Sequence, residues 1–348
     1  MRWNERIIGD EQLSRYRTNQ TGSGLVSRVN ALLAEQRETW PLLRENYESF
    51  SRIETKRVRV CETEVVVQHN PNRIRSTAAA VDKESINGRR CFLCPENIPP
   101  EEKGIEYGDD LIILCNPYPV LNKHLSIVHR KHIGQRISGN VERLLMLARD
   151  LSPEFFALYN GPECGASAPD HLHFQACSRE LLPIEEELRA DDPVMIEDCT
   201  SCADTAREIF EIFTLSGCGR SVIVIRGGNG EELAAWIYRA LDELARASGK
   251  AEAMINIICT HANGVWNVYL FPRSKHRPLC FYAEGNKQLI VSPGAIDMAG
   301  VIITPQREHF LKIDSADIER IFAEVSLSED SVNEIVERVC EQAGEGVL

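Results

Sequence analysis

Along the chain the spacing of apolar positions switches between two residues and about three and a half, which lays out a mixed α+β protein. Residues 58–69, VRVCETEVVVQH, alternate and are rich in β-branched side chains. They read as a strand or hairpin ending at the turn Asn70-Pro71-Asn72. Further strands are predicted at 111–115, 125–129, near 155–159 and at 171–177, with a helix near 141–150. In the second half 221–226 reads as a strand and 231–247 as an amphipathic helix. Residues 254–260 and 266–272 form a hairpin around Asn263-Gly264. Two helices, about 315–325 and 329–342, close the chain.

This pattern divides the chain into three regions. Residues 1–50 are polar and helical, with Leu42, Leu43 and Phe50 as a partial apolar stripe, and are expected to pack as an N-terminal appendage. Residues 51–180 and 181–348 form two halves, separated by the acidic, proline-containing stretch 181–199. The segments LIILCNPYPVLNKHLSIVHRKH and INIICTHANGVWNVYLFPRSKH echo one another as strand, turn, strand and basic cluster, as in an internal duplication.

Composition narrows the class. With 348 residues and 43% hydrophobic content the chain can bury a substantial core. A formal charge of −13 opposes binding to nucleic acid in general, while a basic patch around a small phosphorylated ligand remains compatible with it. The N-terminus lacks an apolar signal region and no run of eighteen apolar residues occurs, so a soluble, cytoplasmic protein without a membrane segment is expected. Twelve scattered cysteines then imply reduced thiols, with metal binding at close pairs.

Candidate chemistry concentrates in residues 160–177, NGPECGASAPDHLHFQAC. On a strand His171, His173 and Gln175 point to one face. Such a row is compatible with a solvated strand face, but Gly161, Gly165, Ala166 and Ser167 just before it let backbone N–H groups converge on an anion. Upstream, Cys91 and Cys94 have the spacing of a zinc-binding pair, with His132 and His171 as candidate partners; a pair of buried thiols without metal is the alternative. Cys199 and Cys202 form a rival pair without a matching downstream pair. Arg226-Gly227-Gly228-Asn229-Gly230 lacks the spacing and lysine of a phosphate loop and reads as a strand-to-helix turn. Arg273, Lys275, His276 and Arg277 make a basic cluster that reads first as a solvated charge run.

Together, NGPECGASAPDHLHFQ, NPYPVLNKHLSIVHRKHIGQ and CFLCPEN resemble the transferase branch of the histidine-triad superfamily. That branch includes galactose-1-phosphate uridylyltransferase, diadenosine tetraphosphate phosphorylase and GDP-sugar phosphorylases. The resemblance is densest over 58–180 and thinner over 253–312, and Leu172 stands where the uridylyltransferase pattern has proline. It implies an α+β, duplicated histidine-triad-like fold, with antiparallel sheets flanked by helices, whose second half lacks the catalytic row.

The resemblance also implies a mechanism. His173 holds the position of the histidine that attacks the α-phosphorus of a nucleotide, and Gln175 that of a neutral amide facing the transferred group. Asn160, Gly165 and Ser167 match the phosphate-contacting loop, Ser167 among the catalytic candidates. Arg73, Arg75 and Ser76 fall where the uridylyltransferases have arginines facing the nucleotide. Lys123 ranks ahead of His124 and His129 as a further phosphate contact, on charge. Cys91, Cys94, His132 and His171 would hold a structural zinc. The implied activity is transfer of a nucleoside monophosphate from an NDP-sugar or dinucleoside polyphosphate to phosphate or a sugar phosphate. The implied oligomeric state is a monomer or homodimer. A non-catalytic nucleotide sensor with the same pocket, or a zinc-stabilised interaction module, are the competing readings.

Overall fold

In the computed structural model residues 3–17, 24–78, 83–190, 194–195, 210–217 and 219–344 are described. The alternating segment forms the hairpin of β1 (Glu54–Val60) and β2 (Thr63–His69), as its period implies. The first half then supplies β3 (Gly104–Tyr107), β4 (Leu111–Cys115), β5 (Leu125–His129), β6 (Phe155–Asn160) and β7 (His173–Ser178). The second supplies β8 (Val194–Met195), β9 (Phe210–Gly217), β10 (Arg220–Gly227), β11 (Ile255–Ala262), β12 (Val265–Pro272) and β13 (Val301–Thr304).

Ten strands form one antiparallel sheet in the order β3-β4-β5-β7-β6-β11-β12-β10-β9-β8, and β1-β2-β13 make a second sheet. The halves join where β6 pairs with β11, from Ala157 opposite Cys259 to Asn160 opposite Asn256. Outward from that seam the order 6-7-5-4 is matched by 11-12-10-9. The helix Val141–Asp150 between β5 and β6 corresponds to Gly230–Ser248 between β10 and β11. The fold is therefore an α+β duplication. Its register differs from the sequence echo, which matched β4–β5 with β11–β12, whereas topology matches β4–β5 with β9–β10 and β6–β7 with β11–β12. Two unrelated hairpins share a strand-turn-strand pattern, and the echo contained no more than that.

On one face of the large sheet, helices Gly24–Thr39, Pro41–Phe50, Val141–Asp150, Gly230–Ser248 and Glu329–Gly344 bury Leu32, Leu43, Leu144, Ile237 and Val336 with Phe174 of β7. On the other face the small sheet and helix Ser315–Val325 bury Val66, Ile302 and Phe322 with Phe156 and Leu158 of β6. The turn between β11 and β12 has positive φ at both Asn263 and Gly264, the backbone that this pair favours. Asn229 caps the helix after β10, so the glycine-rich segment is the expected strand-to-helix turn.

Strands β3, β9 and β13 were not expected from the pattern, and β7 begins at His173, two residues later than predicted. Eight described cysteines are free thiols, but Cys340 is disulfide-bonded, against the expectation of reduced thiols. The pair Cys199 and Cys202 lies outside the described residues. No described helix is long and apolar enough to cross a membrane.

Candidate active site and metal centre

Strand alternation separates the histidine row into two structural neighbourhoods. Leu172, Phe174 and Ala176 sit in the helix-side core, which sends His173 and Gln175 to the opposite face; Val128 pairs with His173, and Ser126 with Gln175. His171 lies in the bend before β7, and its ring turns away toward the loop 91–94.

There Cys91, Cys94, His132 and His171 bring four ligand atoms within 4.8 Å of one another. Nδ1 of His171 lies 3.3 Å from Cys91 Sγ and 3.6 Å from Cys94 Sγ, and Nδ1 of His132 lies 3.3 Å from Cys94 Sγ. A zinc about 2.3 Å from sulfur and about 2.1 Å from nitrogen sets tetrahedral neighbours about 3.5 Å apart, so the donor set fits that ion. The outer nitrogens are directed as metal-bound histidines require. Nε2 of His171 faces the His129 carbonyl at 2.7 Å and Nε2 of His132 faces Asp170 at 3.5 Å. Burial raises the Cys91 thiol and pushes Cys94 up to about 12, so a cation among the four is what would hold them as thiolates.

The nucleophile candidate is fixed by backbone. Nδ1 of His173 is 2.8 Å from the carbonyl of His171, which only accepts, so the ring proton sits on Nδ1 and Nε2 keeps its lone pair. Burial lowers the pKa of His173 and favours this neutral form. Pairing of β6 with β7 runs as far as Leu158 opposite Gln175. Beyond it the buried amide of Gln135 takes the place of a peptide group. Its Nε2 donates to the carbonyls of Asn160 and His173 at 2.9 and 3.0 Å, and its Oε1 accepts from His173 N at 2.8 Å.

Gln175 is oriented by a residue with no role expected beyond a possible phosphate contact. Nδ1 of buried His124 accepts from Val120 N at 3.3 Å, so its proton is on Nε2, which donates to Gln175 Oε1 at 2.7 Å. The Gln175 amide is thereby turned with its N–H2 group available to a ligand. Burial, reinforced by Arg73, drops His124 to about 3. Tyr47 holds the same histidine, its hydroxyl accepting from His124 N at 3.0 Å.

Asn160, Gly165, Ala166, Ser167, Gln175 and Arg73 line one cavity, closed on its far side by His276, Arg277, Ser292 and 294–297. Gly165, at φ +93°, passes so close to Gly294 that a Cβ would lie 3.1 Å from the Gly294 Cα. Oδ1 of Asn160 accepts from Asn256 at 2.7 Å and from Ala295 N at 2.8 Å. Asp297 bonds through its two oxygens to Gly294 N and Ile303 N, and burial raises it to about 6. From Arg73 and Ser167 a second, largely apolar cleft of about 600 Å³ opens between Trp40, Leu42, Phe92, Leu93, Pro117 and Tyr118. Arg89 spans the two regions, donating to the Ser167 carbonyl at 2.9 Å and stacking 5.0 Å from the Phe92 ring.

Not every expected residue joins this site. Arg75 and Ser76 fall in a short helix after β2, and their side chains lie outside the described residues. Lys123 is directed elsewhere: its left-handed backbone turns it onto Glu154 and over the Phe155 ring. The basic cluster is not a solvated run. Arg273 is 2% exposed, and His276 and Arg277 face the cavity, because the chain after β12 folds back against the loop 292–294. Gln135 and Arg89 carried no pattern that singles them out.

Two outcomes follow from this geometry. Gln135→Leu, which strands buried backbone groups at Asn160 and His173, is expected to lower the unfolding free energy by about 2–4 kcal/mol in urea titrations; a change under about 0.5 kcal/mol would refute the bridging role. His124 is depressed from 6.5 to about 3 in the folded chain, so below pH about 6.5 the unfolded chain binds the extra proton and the stabilisation from neutral His124 declines. The destabilisation caused by His124→Asn should therefore be largest above pH 6.5 and shrink steadily toward pH 4. A pH-independent difference in unfolding free energy contradicts this.

Comparison with known proteins agrees with the fold. Residues 32–178 match the family model described as a domain of unknown function (DUF4922), and residues 199–346 match the model "GDPGP1-like, C-terminal domain". Galactose-1-phosphate uridylyltransferase of Streptococcus mutans is 30% identical over 127 residues, 32% of this chain and 26% of the relative, so the match spans about a quarter of that protein. Yeast Ap4A phosphorylase Apa2 superposes with a TM-score of 0.51 at 16% identity, covering 82% of this chain and 94% of the yeast protein. Its complex with Ap4A gives 0.53 at 15% identity, covering 85% and 97%. In fold and in family matches, the chain bears out its resemblance to the transferase branch of the histidine-triad superfamily.

Proposed function

We propose that this protein is a nucleotidylyltransferase or phosphorylase in which Nε2 of His173 attacks the α-phosphorus of an NDP-sugar or dinucleoside polyphosphate. The N–P bond forms as the bond to the leaving phosphate oxygen breaks. An oxygen of inorganic phosphate or a sugar phosphate then attacks the same phosphorus and the N–P bond breaks. The observation that carries this reading is the 2.8 Å bond from His173 Nδ1 to the His171 carbonyl, which leaves Nε2 unprotonated on the strand face that also carries Gln175, a residue of the cavity lining. A phosphate leaving group departs as an anion and needs no proton, which suits a neutral amide at Gln175. Asn160, the loop at Gly165–Ser167 and Arg73 would hold the phosphate oxygens, and the apolar cleft beyond Arg73 and Ser167 has room for the nucleoside.

Cys91, Cys94, His132 and His171 would hold one zinc in a closed site. When bound, the ion fixes the loop 91–94 and the segment 171–173, whose carbonyl orients His173.

Incubation with NDP-sugars and dinucleoside polyphosphates of the common bases is expected to leave an acid-labile nucleotidyl adduct on His173 by mass spectrometry, and His173→Ala should abolish it with the fold unchanged. Absence of an adduct with every donor, alongside tight nucleotide binding, would favour a sensor instead. Elemental analysis should find one zinc per chain, and stripping it with a chelator should lower the melting temperature by several degrees. A metal-free chain of equal stability would rule out a structural zinc.

A further inference from the structure

The basic segment after β12 reaches the cavity, and the proposed transfer gives its groups no task. Arg277 is held there by several neighbours, the Tyr282 side chain among them. Its Nε donates to Ser292 Oγ at 3.0 Å, its Nη2 donates to the Thr77 carbonyl at 3.0 Å, and its guanidinium lies 4.2 Å from the Phe281 ring centroid. Ser292 Oγ is also 3.4 Å from Nε2 of His276. Behind them buried Arg273 clamps the two loops together. It donates to the carbonyls of Lys275 and His276 at 3.2 and 3.0 Å, to Pro293 at 2.8 Å and to Val325 at 3.1 Å, and it also bonds Asn256 Oδ1. Asn256 in turn holds Asn160. One buried guanidinium thus ties the wall of the second half to the loop of the first.

The charge of this wall specifies its ligand. Arg277 and Arg73 are the cations lining the cavity among the described residues, and the only lining carboxylate there, Asp297, is engaged by backbone N–H groups of 294 and 303. Burial and the two neighbouring arginines lower His276 to about 4, so at neutral pH it contributes a neutral ring beside Ser292. A planar arginine, a hydroxyl and a neutral imidazole suit the oxygens of a phosphoryl group.

Resting on the transfer proposed for His173, we infer that Arg277, His276 and Ser292 form the subsite for the phosphoryl group that is not transferred: the β-phosphate of the donor, and after its departure the phosphate of the acceptor. In a double displacement both occupy the same place in turn, so one subsite serves both. Nucleotide identity would then be read on the first half of the chain and the second phosphate on the other.

Calorimetric titration with AMP, GMP, UMP and CMP and with the matching diphosphates tests this without turnover. For the preferred base, wild-type protein should bind the diphosphate at least about tenfold more tightly than the monophosphate. Arg277→Gln should reduce that ratio to near one while the monophosphate affinity stays within about twofold, and Arg277→Lys should recover part of it. An unchanged ratio in Arg277→Gln overturns the subsite, as does an equal loss for mono- and diphosphate in a variant with wild-type melting temperature. If Arg277→Gln is unfolded, Ser292→Ala provides the same comparison. Wild-type protein that binds none of the eight nucleotides would instead sink the transferase reading on which the subsite rests.

Discussion

The carbonyl of His171 is where the site's two halves of chemistry meet. Its own side chain belongs to the four-residue cluster that could hold a metal ion, while its backbone oxygen accepts the Nδ1 proton of His173 and so decides which nitrogen of that ring is free. Only one residue, Leu172, separates the two histidines, and it is fully buried in the helix-side core. The segment has no room to relax: a side chain pinned at 171, a side chain packed at 172 and a ring tethered at 173 determine one another. The same bend that releases His171 from the strand lets the following residues enter β7 in the register that sets Gln175 beside His124.

Around that segment the site is braced by neutral polar groups. Gln135 substitutes for strand pairing between β6 and β7, and His124 sets the direction of the Gln175 amide. Both act through buried hydrogen bonds whose partners have few alternatives in a dry interior, which makes them strong determinants of geometry for their size. Charged groups line the two cavities, with Arg73, Arg277 and Asp297 in the cavity wall and Arg89 in the lining of the cleft.

Local pattern made much of this legible. Strands β4 and β5, the helix Val141–Asp150 and the Asn263-Gly264 hairpin lie where periodicity and turn chemistry put them, since each signal is confined to neighbouring residues. The Cys91–Cys94 spacing led to the cluster with His132 and His171, because a pair so close in sequence already fixes half of a site. Gln135 and Arg89 escape notice, and His124 reads only as a phosphate contact, because the partners that give them their roles lie 25, 78 and 51 residues away and nothing in the nearby sequence records them. Strands β3 and β13 have four residues each, too few for a period to declare itself. The basic segment at 273–277 misled for a related reason: a charge run next to a hairpin is usually solvated, and only tertiary folding against 292–294 buries Arg273.

The seam between β6 and β11 also bears on why the two halves share a chain. Both strands are apolar, with Phe155 to Leu158 and Ile255 to Cys259 fully or nearly fully buried, and each is the last strand of its own half-sheet. Separated, either half would present a long, flat, hydrophobic edge with unpaired backbone groups, the kind of surface on which strands from other molecules add and aggregates grow. Duplication within one chain supplies each edge with a tethered partner at a high effective concentration that does not depend on protein concentration. Among the described residues the outer edges of the large sheet are then β3, partly covered by a bridge from Ile7 to Gly104, and the two-residue β8.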